Sequence, residues 1–112
     1  MSETSQITVG TVHDPVEIMR LLGNDVRWHA LWMLATEGPK SVNDLAARLN
    51  RAQHSMSKHM TLLWQAGVVV PVPPPDGDRR KQFFAVPSGY LRQTAQGWEL
   101  DFGGCVLRKD KE

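Results

Sequence analysis

The sequence predicts a fold that is mainly α with a small β-sheet, in the α+β class. Between residues 14 and 67, apolar residues recur at the three- and four-residue spacing of helices, and caps and glycines divide this stretch into four segments. After Gly67 the apolar residues alternate as they do in strands, with prolines and an Asp-Gly turn between them. Helices followed by strands are typical of α+β proteins.

The chain of 112 residues is the size of one domain, and 41% of its residues are hydrophobic, which suffices for a core. Cys105 is the only cysteine, so we expect no internal disulfide and a reducing, cytoplasmic location. Residues 1–12 are polar and are interpreted as a flexible tail before a single domain at 13–110. No signal peptide is predicted, because the first thirty residues mix charged side chains with apolar ones. No membrane span is predicted, because no apolar run approaches roughly 20 residues.

Two short helices are predicted first. Asp14 caps the first helix, Pro15 occupies its first position, and Gly23 ends it. Asn24 caps the second helix, which ends at Gly38. The predicted inward positions are Val16, Ile18, Met19 and Leu22 in the first helix, and Val26, Ala30, Leu31, Leu34 and Ala35 in the second.

The next two helices, within residues 41–67, have the spacing of a helix-turn-helix. Ser41 caps the first of them with Asp44 in its first turn, and Asn50 suits the left-handed conformation of a tight turn. The second helix is predicted over about 51–66. The predicted inward positions of this pair are Val42, Leu45, Ala46, Leu49, Ala52, Met56, Met60, Leu63 and Trp64.

A β-hairpin, the predicted wing, follows over residues 68–86. Its strands are 68–72 and 82–86, and the loop at 73–80 contains three prolines and an Asp-Gly turn. Proline cannot donate to a strand ladder, so the first strand is expected at a sheet edge.

The C-terminal segment, residues 97–108, has the alternation of a strand, and residues 87–97 before it are interpreted as irregular or as a brief helix. Residues 105–107 are expected to extend this atypical C-terminal strand past a bulge at two glycines. We expect the segment to add a strand to the wing sheet or to pair with the same segment of a second copy.

Four helices followed by a hairpin is the order of a winged helix-turn-helix. The second helix of the motif carries hydrogen-bond donors and no acid; they are Arg51, Gln53, His54, Ser55, Ser57, Lys58, His59 and Thr61. Residues 48–81 have a net charge of +4 and the remainder −3, so the basic residues are concentrated around this motif. A surface without carboxylates favours contact with the phosphates and base edges of DNA.

Three motifs resemble the ArsR-type winged-helix repressors. They are Val42-Asn43-Asp44-Leu45-Ala46, Ser57-Lys58-His59-Met60 and Leu63-Trp64-Gln65-Ala66-Gly67-Val68-Val69. The segment 22–27 is also similar to the family's residues before its second helix, and the resemblance covers about 15–86. It implies a homodimer on an inverted repeat of double-stranded DNA, with the recognition helix in the major groove and the wing on the flanking backbone.

The resemblance also assigns contacts to individual residues. Gln53 would pair with adenine, and Lys58 would bind guanine or phosphate. His59 matches a family histidine whose role is more structural than base-reading. The wing residues expected on phosphates or in an adjacent minor groove are Arg79, Arg80 and Lys81.

Several other interpretations compete with DNA contact. The four histidines lack ligand spacing and no cysteine lies at 42–45, so neither a metal nor another cofactor is expected. The tryptophans, Trp28, Trp32 and Trp64, could line a ligand pocket, but Trp28 and Trp32 are four residues apart and favour a dimer interface. Cys105 is interpreted as inert packing rather than as a redox switch.

No nucleophile–base motif or glycine-rich phosphate loop is present, so we do not expect an enzyme. A winged helix that only binds other proteins is the alternative to a transcriptional regulator. The polar face of 51–61 favours DNA, because a protein-docking face would carry apolar residues. The segment 97–108 replaces the family's usual final helix, so the dimer geometry stays open, as do the operator, the effector and the choice between repression and activation.

Overall fold

This computed structural model describes residues 13–111, so the predicted tail at 1–12 lies outside the described residues. The helices are α1 Pro15–Leu22, α2 Asp25–Glu37, α3 Val42–Arg48 and α4 Gln53–Gln65. The strands are β1 Lys40–Ser41, β2 Val70–Val72, β3 Phe83–Ala85, β4 Leu91–Gln93, β5 Gly97–Asp101 and β6 Val106–Asp110. The predicted α+β class is confirmed.

Polar side chains begin the first three helices as predicted. The side-chain oxygens of Asp14, Asn24 and Ser41 each accept a hydrogen bond from a backbone N–H two or three residues later, at 3.0, 3.1 and 3.0 Å. Each cap satisfies one of the donors that a helix start leaves without an intrahelical partner. Asn50, between α3 and α4, has a φ of 55°, the left-handed conformation expected for that turn.

The helices pack around one apolar core. Buried residues at predicted positions are Ile18, Leu22, Val26, Ala30, Leu31, Leu34, Ala35, Val42, Leu45, Ala46, Met56, Met60 and Leu63. The inward prediction is wrong for Val16 and Met19, which are 53% and 62% exposed, because α1 meets the core along one narrow side. It is also wrong for Ala52, which precedes α4, and for Trp64, whose exposed ring lies edge-on against Phe84.

The wing belongs to a three-stranded antiparallel sheet in the order β1-β3-β2. β2 lies at the edge, as its proline predicts, and Pro71 is in register with Phe84 of the central strand. β1 leads directly into α3, and the backbone N–H of Val42 donates to the carbonyl of Gln82 at 3.0 Å. The wing is therefore fastened to the start of the helix-turn-helix.

A second antiparallel sheet has the order β4-β5-β6. β4 lies in the stretch expected to be irregular or briefly helical, after a 3₁₀ turn at Ser88–Tyr90. The predicted extension past a bulge is wrong, because the chain reverses at Gly103 (φ 93°) and Leu107 pairs with Leu100. β5 lies between β4 and β6 in a sheet separate from the wing, so the expectation that the segment adds a strand to the wing sheet is wrong, whereas its pairing with a second copy stays a prediction.

The tryptophan pair on α2 packs within the chain. Trp32 is 3% exposed, and its ring lies edge-on against half-buried Trp28, with ring centroids 5.8 Å apart. The predicted interface role is therefore wrong for Trp32, because the core already covers it. Cys105 is partly buried against the same core, in keeping with a packing role.

Candidate nucleic-acid interface

α4 turns an apolar side inward and leaves a polar side facing solvent. Met56, Met60 and Leu63 recur at the spacing of a helix face and are fully buried, so they fix the rotation of α4 about its axis. Of the residues predicted to contact DNA on this helix, the exposed ones are Gln53, His54, Lys58 and Thr61, and the half-buried ones are Ser55, Ser57 and His59. The burial of the methionines thus determines which donors a ligand can reach.

The exposed donors of α4 are available for an external partner. Within residues 13–111, the side chains of Gln53, His54 and Lys58 make no hydrogen bond or ion pair. Thr61 differs, because its Oγ1 donates to the carbonyl of Ser57 at 3.0 Å and its hydrogen is used inside the helix. Gln53, His54 and Lys58 are therefore the strongest candidates for contacts outside the chain.

α4 begins later than predicted, at Gln53, and its N-cap is Ala52, which supplies no side-chain hydrogen bond. The N–H groups of the first turn therefore lack a side-chain cap and can bind solvent or a phosphate. Arg51 lies before the helix, where its Nη1 donates to the carbonyls of Leu49 and Asn50 at 3.2 Å each. This places an exposed guanidinium beside the positive end of α4.

His59 faces α2 instead of the solvent-facing side of α4. Its Nδ1 lies 3.0 Å from Nη1 of Arg27, whose Nε donates to the carbonyl of Leu21 at 2.6 Å. Burial lowers the pKa of His59, and the positive charges of Arg27 and Arg51 lower it further. A neutral ring accepts the hydrogen bond from Arg27, so His59 fastens α4 to α2.

The wing cations differ in their partners. Arg80 pairs with Asp78 through two hydrogen bonds of 3.0 Å, and the Lys81 ammonium lies 2.8 Å from a carboxylate oxygen of Asp76. Arg79 is exposed and makes no hydrogen bond or ion pair within the described part of the chain. Of the three predicted wing contacts, two already have a carboxylate partner.

The acidic residues of the wing also shape its loop. Asp76 accepts from the backbone N–H of Asp78 at 2.9 Å, and Asp78 accepts from that of Arg80 at 3.1 Å. The side-chain hydrogen bond from Arg80 lowers the pKa of Asp78, and that from Lys81 lowers the pKa of Asp76. Both carboxylates are therefore ionised at neutral pH and neutralise part of the wing charge.

A narrow cleft of about 150 Å³ joins the wing to the helix-turn-helix. Gln53 and Ser57 of α4 line it together with Asn43 at the start of α3 and Gln82 before β3. Both Asn43 and Gln82 are exposed, and sequence reasoning missed them as candidate contacts. The sequence feature that could have identified them is an uncharged amide beside each predicted element. That feature is a weak indication of DNA contact, because surface amides are common.

No family model matches this chain, and no curated protein matches its sequence. Among solved structures, reduced HlyU from Vibrio cholerae has a TM-score of 0.57 and 26% identity, covering 66% of this chain and 73% of that one. The transcriptional regulator Tm0710 from Thermotoga maritima has a TM-score of 0.54 and 25% identity, over 64% and 53%. MepR from S. aureus, solved in a DNA complex, has a TM-score of 0.54 and 18% identity, over 67% and 65%.

These similarities confirm the predicted fold and support the predicted class of protein, a winged-helix transcriptional regulator. They do not distinguish the ArsR type from other winged-helix regulators. The similar structures are regulators and not enzymes, which fits the expectation of a non-enzyme. Within residues 13–111 the longest helices, α2 and α4, have 13 residues each, and neither is long and apolar enough to cross a membrane.

Proposed function

We propose that this chain is a DNA-binding transcriptional regulator that inserts α4 into the major groove. The observation that carries the proposal is the acid-free, solvent-facing side of α4, held outward by three buried residues, Met56, Met60 and Leu63. The major groove of B-DNA is wide enough for one helix, and donors along such a helix reach base edges and phosphates.

Individual side chains have distinct proposed roles. Gln53, exposed in the first turn of α4, pairs bidentately with adenine, and Lys58 one turn later binds guanine or a phosphate. Arg51 and Arg79 bind phosphates on either side of the groove, with Arg80 and Lys81 contributing less because of their carboxylate partners. Phosphate contacts fix the position of the protein, and the base contacts provide its sequence preference.

The finer proposal is a cytoplasmic homodimer of the ArsR type that acts as a repressor on an inverted repeat. Val16 and Met19 support a dimer, because they are apolar, exposed and three residues apart on α1. A second copy would cover this strip. In a two-fold dimer the two α4 helices would contact half-sites about one helical turn of DNA apart.

The test is selection of bound duplexes from a random pool, followed by fluorescence anisotropy on the selected sequence and on random DNA. We expect an inverted repeat in the selected pool and binding that weakens steeply with salt. Lys58→Ala should weaken binding, whereas Lys111→Ala, which removes the same charge from the end of the second sheet, should not. Absence of binding to any duplex at low salt would favour the alternative, a protein-interaction module.

A further inference from the structure

A shallow groove of about 420 Å³ runs along the solvent-facing side of α4. Its lining residues lie on one side of the helix at spacings of three and four; they are His54, Ser57, Lys58, Thr61 and Leu62. None of the five is acidic. His54 and Lys58 belong to the predicted DNA contacts, so the groove continues that surface toward the end of α4.

Leu62 is the apolar residue of this otherwise polar stripe. It is 43% exposed, whereas the next residue, Leu63, is fully buried. The core therefore does not account for the position of Leu62. A single exposed leucine is ordinary on a protein surface, but this one lies beside a second outward apolar group.

That second group is the γ-methyl of Thr61. The Oγ1 of Thr61 donates to the carbonyl of Ser57 at 3.0 Å, which holds the hydroxyl against the helix and fixes the rotamer. Because the side chain is exposed, its methyl group is the part that remains for an outside contact. Thr61 and Leu62 together form an apolar patch one helical turn after Lys58.

The surroundings of the Thr61–Leu62 patch favour DNA over an apolar protein surface as its partner. Within residues 13–111 the Lys58 ammonium has no ion-pair partner, so an apolar surface laid over it would bury an unpaired charge. DNA supplies phosphates to that charge. Among the base edges of the major groove, the C5 methyl of thymine is the apolar feature, and threonine methyl groups are among its usual contacts. Recognition helices read bases with side chains at i, i+3, i+4 and i+7, the spacing that runs from His54 to Thr61.

We infer that the Thr61–Leu62 patch recognises thymine by contact with its C5 methyl group. The inference rests on the proposed insertion of α4 into the major groove and adds a base preference to it. Thr61 acts through its methyl and makes no hydrogen bond to a base, in contrast to Gln53 and Lys58. Thr61 is about 4.5 Å farther along the helix axis than Lys58, so the thymine lies within a base step or two of the group that Lys58 binds.

The test compares the selected operator with copies in which each thymine in turn is replaced by deoxyuridine, which lacks only the C5 methyl. Fluorescence anisotropy with the full chain measures the affinity for each duplex. At one or two thymines of the operator, we expect the loss of the methyl to weaken binding about three- to fivefold, the effect of one buried methyl group. Base pairing and hydrogen-bonding groups are the same in both duplexes, so the ratio of affinities reports the apolar contact.

Thr61→Ser removes the methyl and keeps the hydroxyl that donates to Ser57. This variant should bind the thymine duplex more weakly and the deoxyuridine duplex as the unchanged chain does, so its preference for thymine should disappear. Leu62→Ala should reduce the same preference. Val106→Ala, which removes an exposed apolar side chain from β6, is the matched control and should retain the full ratio.

Two results would overturn the inference and leave the proposed function standing. One is an operator that the chain binds equally well with thymine or deoxyuridine at every position. The other is a preference for thymine that both Thr61→Ser and Leu62→Ala retain in full. Failure of the chain to bind any duplex would overturn the inference and the proposed function together.

Discussion

α4 and the wing carry the same kinds of side chain but present different amounts of usable charge. On α4, Lys58 is exposed and without a partner among the described residues. On the wing, Arg80 and Lys81 are held by Asp78 and Asp76, which leaves Arg79 as the cation without a partner in residues 13–111. A count of basic residues therefore overstates the number of wing cations that are free to bind a phosphate. On α4 the absence of acids matters more than the number of cations, because no carboxylate neutralises them.

The strongest test of α4 as the reading element is Gln53→Ala. We expect affinity for the selected operator to fall by about ten- to a hundredfold, the cost of one bidentate base contact, with affinity for random DNA nearly unchanged. Gln65→Ala, an exposed amide in the last turn of the same helix, is the control and should have little effect. An equal loss on both kinds of DNA would mean that Gln53 contacts the backbone and reads no base.

For the wing, Arg79→Ala should weaken binding several-fold on every sequence. The slope of log affinity against log salt should fall by about one unit, because one phosphate contact releases about one counterion. Anisotropy titrations at several salt concentrations measure this slope. Arg20→Ala, which removes an exposed arginine of α1, should leave the slope unaltered; a wing variant with an unaltered slope would contradict the proposed contact.

Asp78→Asn should raise DNA affinity about two- to threefold. The amide oxygen still accepts from the backbone N–H of Arg80, so the loop is kept, but the side chain of Arg80 becomes available to a phosphate. The pair is at the surface, where ion pairs contribute little to stability, so the free energy of unfolding should hardly change. Asp110→Asn makes the same charge change on β6, and an equal gain there would show a general effect of net charge.

A smaller effect concerns the pH dependence of stability, to which His59 of α4 should contribute. The pKa of His59 is lowered by burial and by Arg27, so the unfolded chain takes up a proton at a higher pH than the folded chain does. The free energy of unfolding should have its full value above about pH 6.5 and should decrease as the pH falls below that value. His13, whose pKa burial also lowers, adds to this dependence.

Urea unfolding at about pH 7.5 and about pH 5.5 measures this dependence. His59→Gln should reduce the difference between the two conditions, because the ionisable ring is gone and an amide can still accept from Arg27. His54→Gln replaces an exposed ring on the same helix and should retain the full difference. A full difference in His59→Gln would mean that the ring does not contribute.

Local signals predicted the helices well, and contacts between distant residues were the part that sequence could not supply. Asn24 and Ser41 are caps because their side chains reach backbone groups within three residues, which a reader of the sequence can see. The pairing of Leu100 with both Leu91 and Leu107, and the contact of His59 with Arg27, depend on chain reversals and helix packing that no local pattern specifies.

In the candidate site, too, some features could be predicted from the sequence and others could not. The exposed side of α4 follows from its helical period, which is a local property. Arg80 and Asp78 are only two residues apart, yet acidic and basic side chains in one loop can point in different directions. Only the structure shows that these two form an ion pair. Trp64 was expected inside because of its apolar character, but it covers Phe84 from the surface.

The position of β6 has a consequence for shortened forms of the protein. β6 is the last strand within residues 13–111 and covers one edge of β5, where Gly97 lies so close to the carbonyl of Lys109 that no side chain fits between them. A chain ending before Val106 would expose a row of unpaired N–H and C=O groups beside Leu100. Edges of this kind recruit strands from other molecules, so such a fragment should self-associate and precipitate even with its helix-turn-helix intact.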